Sequence, residues 1–274
     1  MKILTKFGTG QVSAMPIWSP EQYLTFAEWR TRPSRDLAQR VEVAQPQRIV
    51  DLGCGPGNSL EVCAECWPQA SLLGLDSSAA MIKTAQTAYP HREWRVADIS
   101  DWVQQSDGER FDIIFSSAAL QWLDNHEALF PRLLDHLTPG GALAVQMPAY
   151  EAVPNRVMRE LAQSNQWRRW FPEGRAKEWR SHELEFYYEA LAPHASRLDL
   201  WATDYLQIMP DLGAIVEWYR GTGLRPYLEA ITEESDRKRF LAEYAERLQP
   251  FYPESAVGGV LFPFRRLFII AYLG

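Results

Sequence analysis

The stretch RIVDLGCGPGN, residues 48 to 58, decides how this chain reads. Three aliphatic residues around a single acid, RIVDL, make a short buried strand, and the G-C-G-P-G behind it cannot continue that strand. Glycines at 53, 55 and 57 let backbone amides come close to a ligand, because no Cβ stands in the way, and Asn58 opens a helical pattern. Strand, glycine loop and helix start, in that order, predict a nucleotide-like ligand at the carboxyl end of the first strand.

Outward from that point, apolar runs alternate with helical patterns. The runs are SLLGLD (71–76), EWRVAD (93–98), FDIIFSS (111–117) and ALAVQM (142–147), and helices are expected over 58–67, 78–88 and 126–137, with Pro131 kinking or shortening the last. Two further helices, 20–30 and 34–43, are expected ahead of the first strand. The alternation predicts an α/β fold with a doubly wound parallel sheet. Beyond Met147 the pattern changes: residues 150–190 mix arginine with aromatics and read as a helical insertion. LDLWATDYLQIM (198–209) and RRLFIIAYL (265–273) read as strands six and seven, with helical patterns at 211–219 and 233–248 between them.

Acidic strand ends recur. Asp76 closes the second run, where a carboxylate can accept both hydroxyls of a ribose, and Asp98 closes the third in the same register, either as a second ligand group or as a cap on the following turn.

Composition limits the partners. The 274 residues carry a net charge of −7, which argues against a nucleic-acid surface, so an anionic ligand has to meet a local arginine cluster. No stretch approaches the ~20 apolar residues of a membrane span, and no secretory signal is visible, which predicts a cytoplasmic protein without a membrane or an obligate protein partner. Cys54, Cys63 and Cys66 lie in one short region without a neighbouring histidine, so core thiols are expected rather than a metal site.

A dinucleotide fingerprint would require glycine where Asn58 stands, and Pro56 stiffens the loop. D-x-G-x-G-x-G resembles instead the first motif of the class I S-adenosylmethionine-dependent methyltransferases. The resemblance narrows with Trp18-Ser-Pro-x-x-Tyr23, Phe26-x-x-x-Arg30-x-Arg32-Pro33, DLGCGPGNS (51–59), GLDSSAAMI (74–82), LQWL (120–123) with His126, AVQMP (144–148), Glu217-Trp218 with GTGLRPYL (221–228), and Arg266-Leu267-Phe268. Together these resemble the trans-aconitate 2-methyltransferase family over most of residues 18–272. Two departures fall in the insertion: Pro154-Asn155-Arg156 stands where the family shows proline, a hydroxyl residue and histidine, and Lys177-Glu-Trp-Arg180 replaces a basic-x-Pro-Leu stretch.

The resemblance implies a Rossmann-like sheet of order 3-2-1-4-5-7-6 with the last strand antiparallel. It implies a flexible extension over 1–17, a domain over 18–274 with a helical cap at 18–45, and insertions at about 150–195 and 210–260; either Met1 or Met15 would serve as the start. S-adenosylmethionine would meet Trp18, Tyr23, Arg32, Asp51, Gly53, Cys54, Gly55, Asn58, Asp76, Ser77, Met81, Asp98, Ile99, Ser117, Ala118 and Trp122, and would leave as S-adenosylhomocysteine. A small polycarboxylate would meet Arg30, Gln121, His126, Tyr150, Arg159, Tyr187 and Arg225, with Arg156 a further candidate.

A carboxylate with reference pKa near ~4 is already ionised at neutral pH, so its methylation needs no general base. Planar arginine forks suit the non-reacting carboxylates. His126 either orients the acid or caps the helix that starts there. Two other readings stay open: a methyltransferase of the same fold acting on another small or carrier-bound acid, and a nicotinamide-dependent oxidoreductase.

Overall fold

The computed structural model describes residues 27–104, 108–172 and 180–274. The apolar runs become the strands β1 (Arg48–Leu52), β2 (Ser71–Asp76), β3 (Glu93–Val96), β4 (Phe111–Ser117), β5 (Leu137–Pro148), β6 (Arg197–Met209) and β7 (Val260–Tyr272). They form one sheet of order β3-β2-β1-β4-β5-β7-β6, parallel through β5, with β7 antiparallel to both β5 and β6. Central parallel strands are covered on both faces, which is why β1 and β4 are nearly continuous in Ile, Val, Leu and Phe.

Helices α1 (Ala27–Ala38), α2 (Asn58–Cys66), α3 (Ala79–Ala88), α4 (Ile99–Gln104) and α5 (His126–Leu134) surround this half of the sheet. Ser78 caps α3 by accepting the Met81 amide, as its sequence context suggests. The two helices expected over 20–30 and 34–43 are corrected: α1 is one helix across residues 31–33 and ends at Ala38, with Pro33, Ser34 and Leu37 buried. The part of the first expected helix before residue 27 lies outside the described residues. α5 ends at Leu134 rather than 137, in line with the shortening expected from Pro131.

One layer of core, on the α4 and α5 side, contains Leu52, Leu75, Trp102, Phe130 and Ile269; the opposite layer, under α1 and α2, contains Leu37, Leu60, Phe115 and Phe268. Each buried Leu, Ile or Phe contributes roughly 1.5–3 kcal/mol through removal of apolar surface from water.

The antiparallel β6–β7 pair outruns the rest of the sheet. Pairing of β5 with β7 stops at Pro148 opposite Arg266, while β6 and β7 continue together to Met209 opposite Val260. That overhang forms the floor of a third apolar cluster. Phe262 and Phe264 of β7 pack there beneath α6 (Val153–Gln163), α8 (Leu212–Arg220), α9 (Arg225–Ala230) and α10 (Glu234–Leu248). The insertion after β5 also supplies α7 (Leu184–Leu191), which packs back onto the sheet. α4 and α9 were not foreseen from the sequence; each has only six residues, too short for a helical period to declare itself. Among the described residues, no helix is long and apolar enough to cross a membrane.

Candidate active site at the carboxyl edge of the sheet

The glycine loop is pinned by its neighbours. Gly53 and Cys54 both donate their amides to the Leu75 carbonyl, at 2.7 and 3.0 Å, and Gly55 donates to Asp76 Oδ2 at 2.9 Å. The other Asp76 oxygen accepts the Ser78 amide at 2.8 Å, so one carboxylate spans the loop and the start of α3. Burial pushes the Asp76 pKa up, and those two amides pull part of it back.

Two glycines are required for different reasons. At Gly53, with φ +74°, a Cβ would fall 2.2 Å from the Ala119 Cβ, so the segment after β4 can close on the loop only over a glycine. At Gly55, with φ +55°, a Cβ would meet nothing within 4 Å, so the side of the loop where a side chain would stand is open.

Asp51 lies fully buried beneath the loop. Ser59 Oγ donates to its Oδ2, while Oδ1 is buried with no hydrogen bond. Loss of solvation raises its pKa to about 7, with the Ser59 bond acting the other way and the neighbouring Asp76 adding to the rise. A buried acceptor of this kind fits a cationic donor such as an ammonium.

The other expected donor-side residues line the same edge. Cys54 is buried, Asn58 begins α2, Ser77 is exposed beside Asp76, and Met81 is buried in the first turn of α3. β3 stops at Val96 instead of 98, and Asp98 Oδ1 accepts the Ser100 amide at 2.7 Å to cap α4, while the Ile99 side chain comes against Gly53. Ser117 ends β4, and Ala118 follows in the left-handed region at φ +56°. A non-glycine residue held there costs on the order of 1 kcal/mol or more, and such residues cluster at functional sites. Gln121 Nε2 staples the turn by donating to the Ala118 carbonyl at 2.7 Å, and Gln121 Oε1 is buried without a hydrogen bond.

On the other side, Trp122, Trp29 and Tyr150 are half-buried against the third cluster. Arg159 stacks over the Tyr150 ring at 4.1 Å and reaches Glu151 with Nη2 at 3.3 Å, while its Nη1 is buried with no hydrogen bond. Arg225, at the start of α9, donates to Glu229 at 2.9 Å. Arg32 is exposed, its guanidinium 5.1 Å from the Tyr205 ring centre, and Arg156 is exposed 5.5 Å from that of Phe251. Trp18, Tyr23 and the Arg30 side chain lie outside what the structure describes.

Three expectations need correction. Tyr187 has no exposed surface, and His126 is 2% exposed. His126 Nε2 meets the Leu120 carbonyl at 2.9 Å, so that nitrogen carries the proton; Nδ1 then accepts from Tyr187 Oη at 2.9 Å, whose oxygen accepts the His182 amide at 3.1 Å. Burial lowers the His126 pKa, which favours the same neutral form. The pair therefore clamps the turn Leu120–Trp122 to α7 from within the core instead of meeting an acid. Cys66, expected in the core, is exposed, whereas Cys54 and Cys63 are buried.

Sequence reasoning also missed a buried polar chain. Arg266 Nη1 reaches Gln146 Oε1 at 3.3 Å, Gln146 Nε2 reaches Ser117 Oγ at 2.6 Å, and Ser117 Oγ meets Ser34 Oγ at 2.7 Å. Its signal was present: Gln146 interrupts the apolar run of β5, and Arg266, next to the exposed Arg265, stands at an inward position of β7.

Comparison with known proteins agrees with this geometry. A family model described as a methyltransferase domain matches residues 26–191. The trans-aconitate 2-methyltransferase of Azoarcus sp. (strain BH72) is 47% identical over 258 residues, covering 94% of this chain and 99% of that one. Among solved structures, the YcgJ protein of Bacillus subtilis superposes with a TM-score of 0.58 at 13% identity, covering 88% of this chain and 98% of that one. Coclaurine N-methyltransferase bound to N-methylheliamine and S-adenosylhomocysteine gives a TM-score of 0.55 at 14% identity, over 94% and 82% of the two chains. With its sheet order, its glycine loop and a near-full-length relative at this identity, the chain belongs to the trans-aconitate 2-methyltransferase family.

Proposed function

We propose that this protein transfers the methyl group of S-adenosylmethionine to a carboxylate oxygen of a small polycarboxylate, trans-aconitate foremost, leaving S-adenosylhomocysteine and a monomethyl ester. The observation that carries the reading is the buried, unbonded Oδ1 of Asp51 beneath a glycine loop whose Gly55 leaves the side-chain position open, beside Asp76, in a chain 47% identical to a trans-aconitate 2-methyltransferase.

The residues present fit the methyl donor. Asp51 offers an acceptor for its ammonium, Gly53 and Gly55 a loop without side chains, Asp76 a carboxylate for the ribose hydroxyls, and Asp98 with Ile99 a polar and an apolar contact for the adenine. When bound, S-adenosylmethionine supplies a methyl group on a positively charged sulfur. The protein's own work is positioning and exclusion of water, which together contribute up to roughly 7–11 kcal/mol when reacting atoms are aligned. The buried Nη1 of Arg159 and the guanidinium of Arg225 hold carboxylates that do not react, and Trp122, Trp29 and Tyr150 shield the reacting one. Because the acid arrives ionised, no side chain takes a proton, consistent with a neutral, doubly bonded His126. The activity belongs to the cytoplasm, acting on a free acid.

Incubation with methyl-labelled S-adenosylmethionine and a panel of organic acids tests this. Label in a base-labile monomethyl ester of trans-aconitate is expected; label only on a different acid would move the substrate, and no ester on any acid would reject the reaction. Asn155, where the family shows a hydroxyl residue, is buried and donates to the Tyr150 carbonyl at 3.0 Å, which is the specific reason to include other acids in the panel.

A further inference from the structure

The polar chain through the sheet has a direction, fixed by its inner end. A guanidinium can only donate, so Arg266 Nη1 fixes the Gln146 amide with its oxygen toward the arginine and its nitrogen toward Ser117. Ser117 Oγ therefore receives a hydrogen bond from Gln146, and its own hydrogen is directed onward, to Ser34 or to a ligand. Gln146 is fully buried, Ser34 is 2% and Arg266 4% exposed, while Ser117 alone of the four is partly open, at the end of β4 beside the left-handed Ala118. Hydrogen bonds in series polarise one another, and a buried positive charge at the start strengthens each donor along the way. The Ala118 amide also donates to the Gln146 carbonyl at 2.9 Å, so one glutamine fixes both residues of the turn.

From this we infer that Arg266 and Gln146 are positioning residues that act through Ser117, presenting its hydroxyl as a hydrogen-bond donor to a carboxylate in the active site. That carboxylate belongs either to the amino-acid end of the methyl donor or to the acid being methylated. The inference rests on the proposed reaction, and Ser34 takes the Ser117 hydrogen when no ligand does.

Gln146→Glu separates this role from a structural one. The glutamate still accepts from Arg266 in the same shape, but it has no N–H for Ser117 and draws the serine hydrogen back toward itself. Titrate wild type and variant separately with S-adenosylhomocysteine and with trans-aconitate, and record melting curves alongside. The expected result is an unchanged or higher melting temperature with about a tenfold or greater loss of affinity for one ligand only, as for loss of a hydrogen bond to a charged group. The ligand affected identifies the carboxylate.

Unchanged affinity for both ligands overturns the relay, as does a parallel loss of both with a lowered melting temperature. If Gln146→Glu does not fold, Ser117→Ala is expected to weaken the same single ligand and Ser117→Thr to restore it, and an Ala variant that binds both normally overturns the proposal. Wild-type protein that binds neither ligand would reject the methyl-donor reading itself, an outcome distinct from normal wild-type binding with an indifferent variant.

Discussion

The two halves of this site are built in opposite ways. The donor half is made of strand ends and backbone amides between Asp51 and Ile99, each held by a neighbour a few residues or one strand away. The half proposed for the acid is assembled from parts far apart in the chain: Tyr150 and Arg159 on the insertion, Arg225 on α9, and the β6–β7 overhang with its apolar cluster. Under the proposed function, the first would recognise its ligand by the shape of a rigid, side-chain-free loop and two fixed carboxylates, and the second by long side chains set by tertiary packing. A change in one half should leave the other half's ligand untouched, and this separation can be tested.

The largest expected effect comes from Gly55→Ala. Its Cβ meets no protein atom, and a left-handed alanine costs only about 1 kcal/mol, so the protein should fold while affinity for S-adenosylhomocysteine falls at least about a hundredfold by calorimetry. Gly53→Ala breaks the comparison in the other direction: with a Cβ 2.2 Å from that of Ala119, it should lower stability by roughly 2–4 kcal/mol in denaturant unfolding, with a loss of donor affinity no larger than that of Gly55→Ala.

Asp51→Asn comes next. It removes the anionic acceptor but can keep the Ser59 bond, so donor affinity should fall about tenfold to a hundredfold. Its stability effect runs the other way. The Asp51 carboxyl titrates at about 7 when folded, against 3.8 for an ordinary solvated aspartate, so between those values the folded chain holds a proton that the unfolded chain has released. The ligand-free wild type should therefore lose stability as pH rises through that window, and Asp51→Asn should flatten the slope and be the more stable protein at pH values above it. Equal slopes in the two proteins would contradict the assignment.

On the acid side, Arg159→Gln should raise the KM for the acid about tenfold and leave S-adenosylhomocysteine affinity within about twofold. Loss of both together would show that the two halves are not independent. The smallest effect on turnover is expected at His126→Gln, where kcat per folded molecule should stay within about twofold while unfolding shows a loss of about 1–3 kcal/mol from broken buried hydrogen bonds. A collapse of kcat without loss of stability would return His126 to the pocket.

What could be read from the chain follows the same division. Asp51, the three glycines and Asp76 sit within one strand-loop-helix-strand passage, where period and residue type are enough to place a ligand, and the boundaries of β1, β2 and β4 fall where the apolar runs end. His126 and Tyr187 were misassigned because a polar side chain satisfied inside the core has the same sequence signature as one facing a ligand. Their pairing across 61 residues exists only in three dimensions. In the Arg266–Gln146–Ser117–Ser34 chain the polar interruptions were visible but their pairing was not, since its links join residues 83 to 120 positions apart, or 29 in the case of Gln146 and Ser117. The gap expected between helices 20–30 and 34–43 is absent because α1 continues through Pro33, at the cost of one backbone hydrogen bond, and so buries Ser34 and Leu37.

The most direct test of the account is the crystal structure of the protein with S-adenosylhomocysteine. The account predicts the ligand's ammonium on Asp51, its ribose hydroxyls on Asp76, and its amino-acid portion lying over Gly55. A loop left bare under saturating ligand, or one that takes up a phosphate-bearing nucleotide in its place, would contradict it.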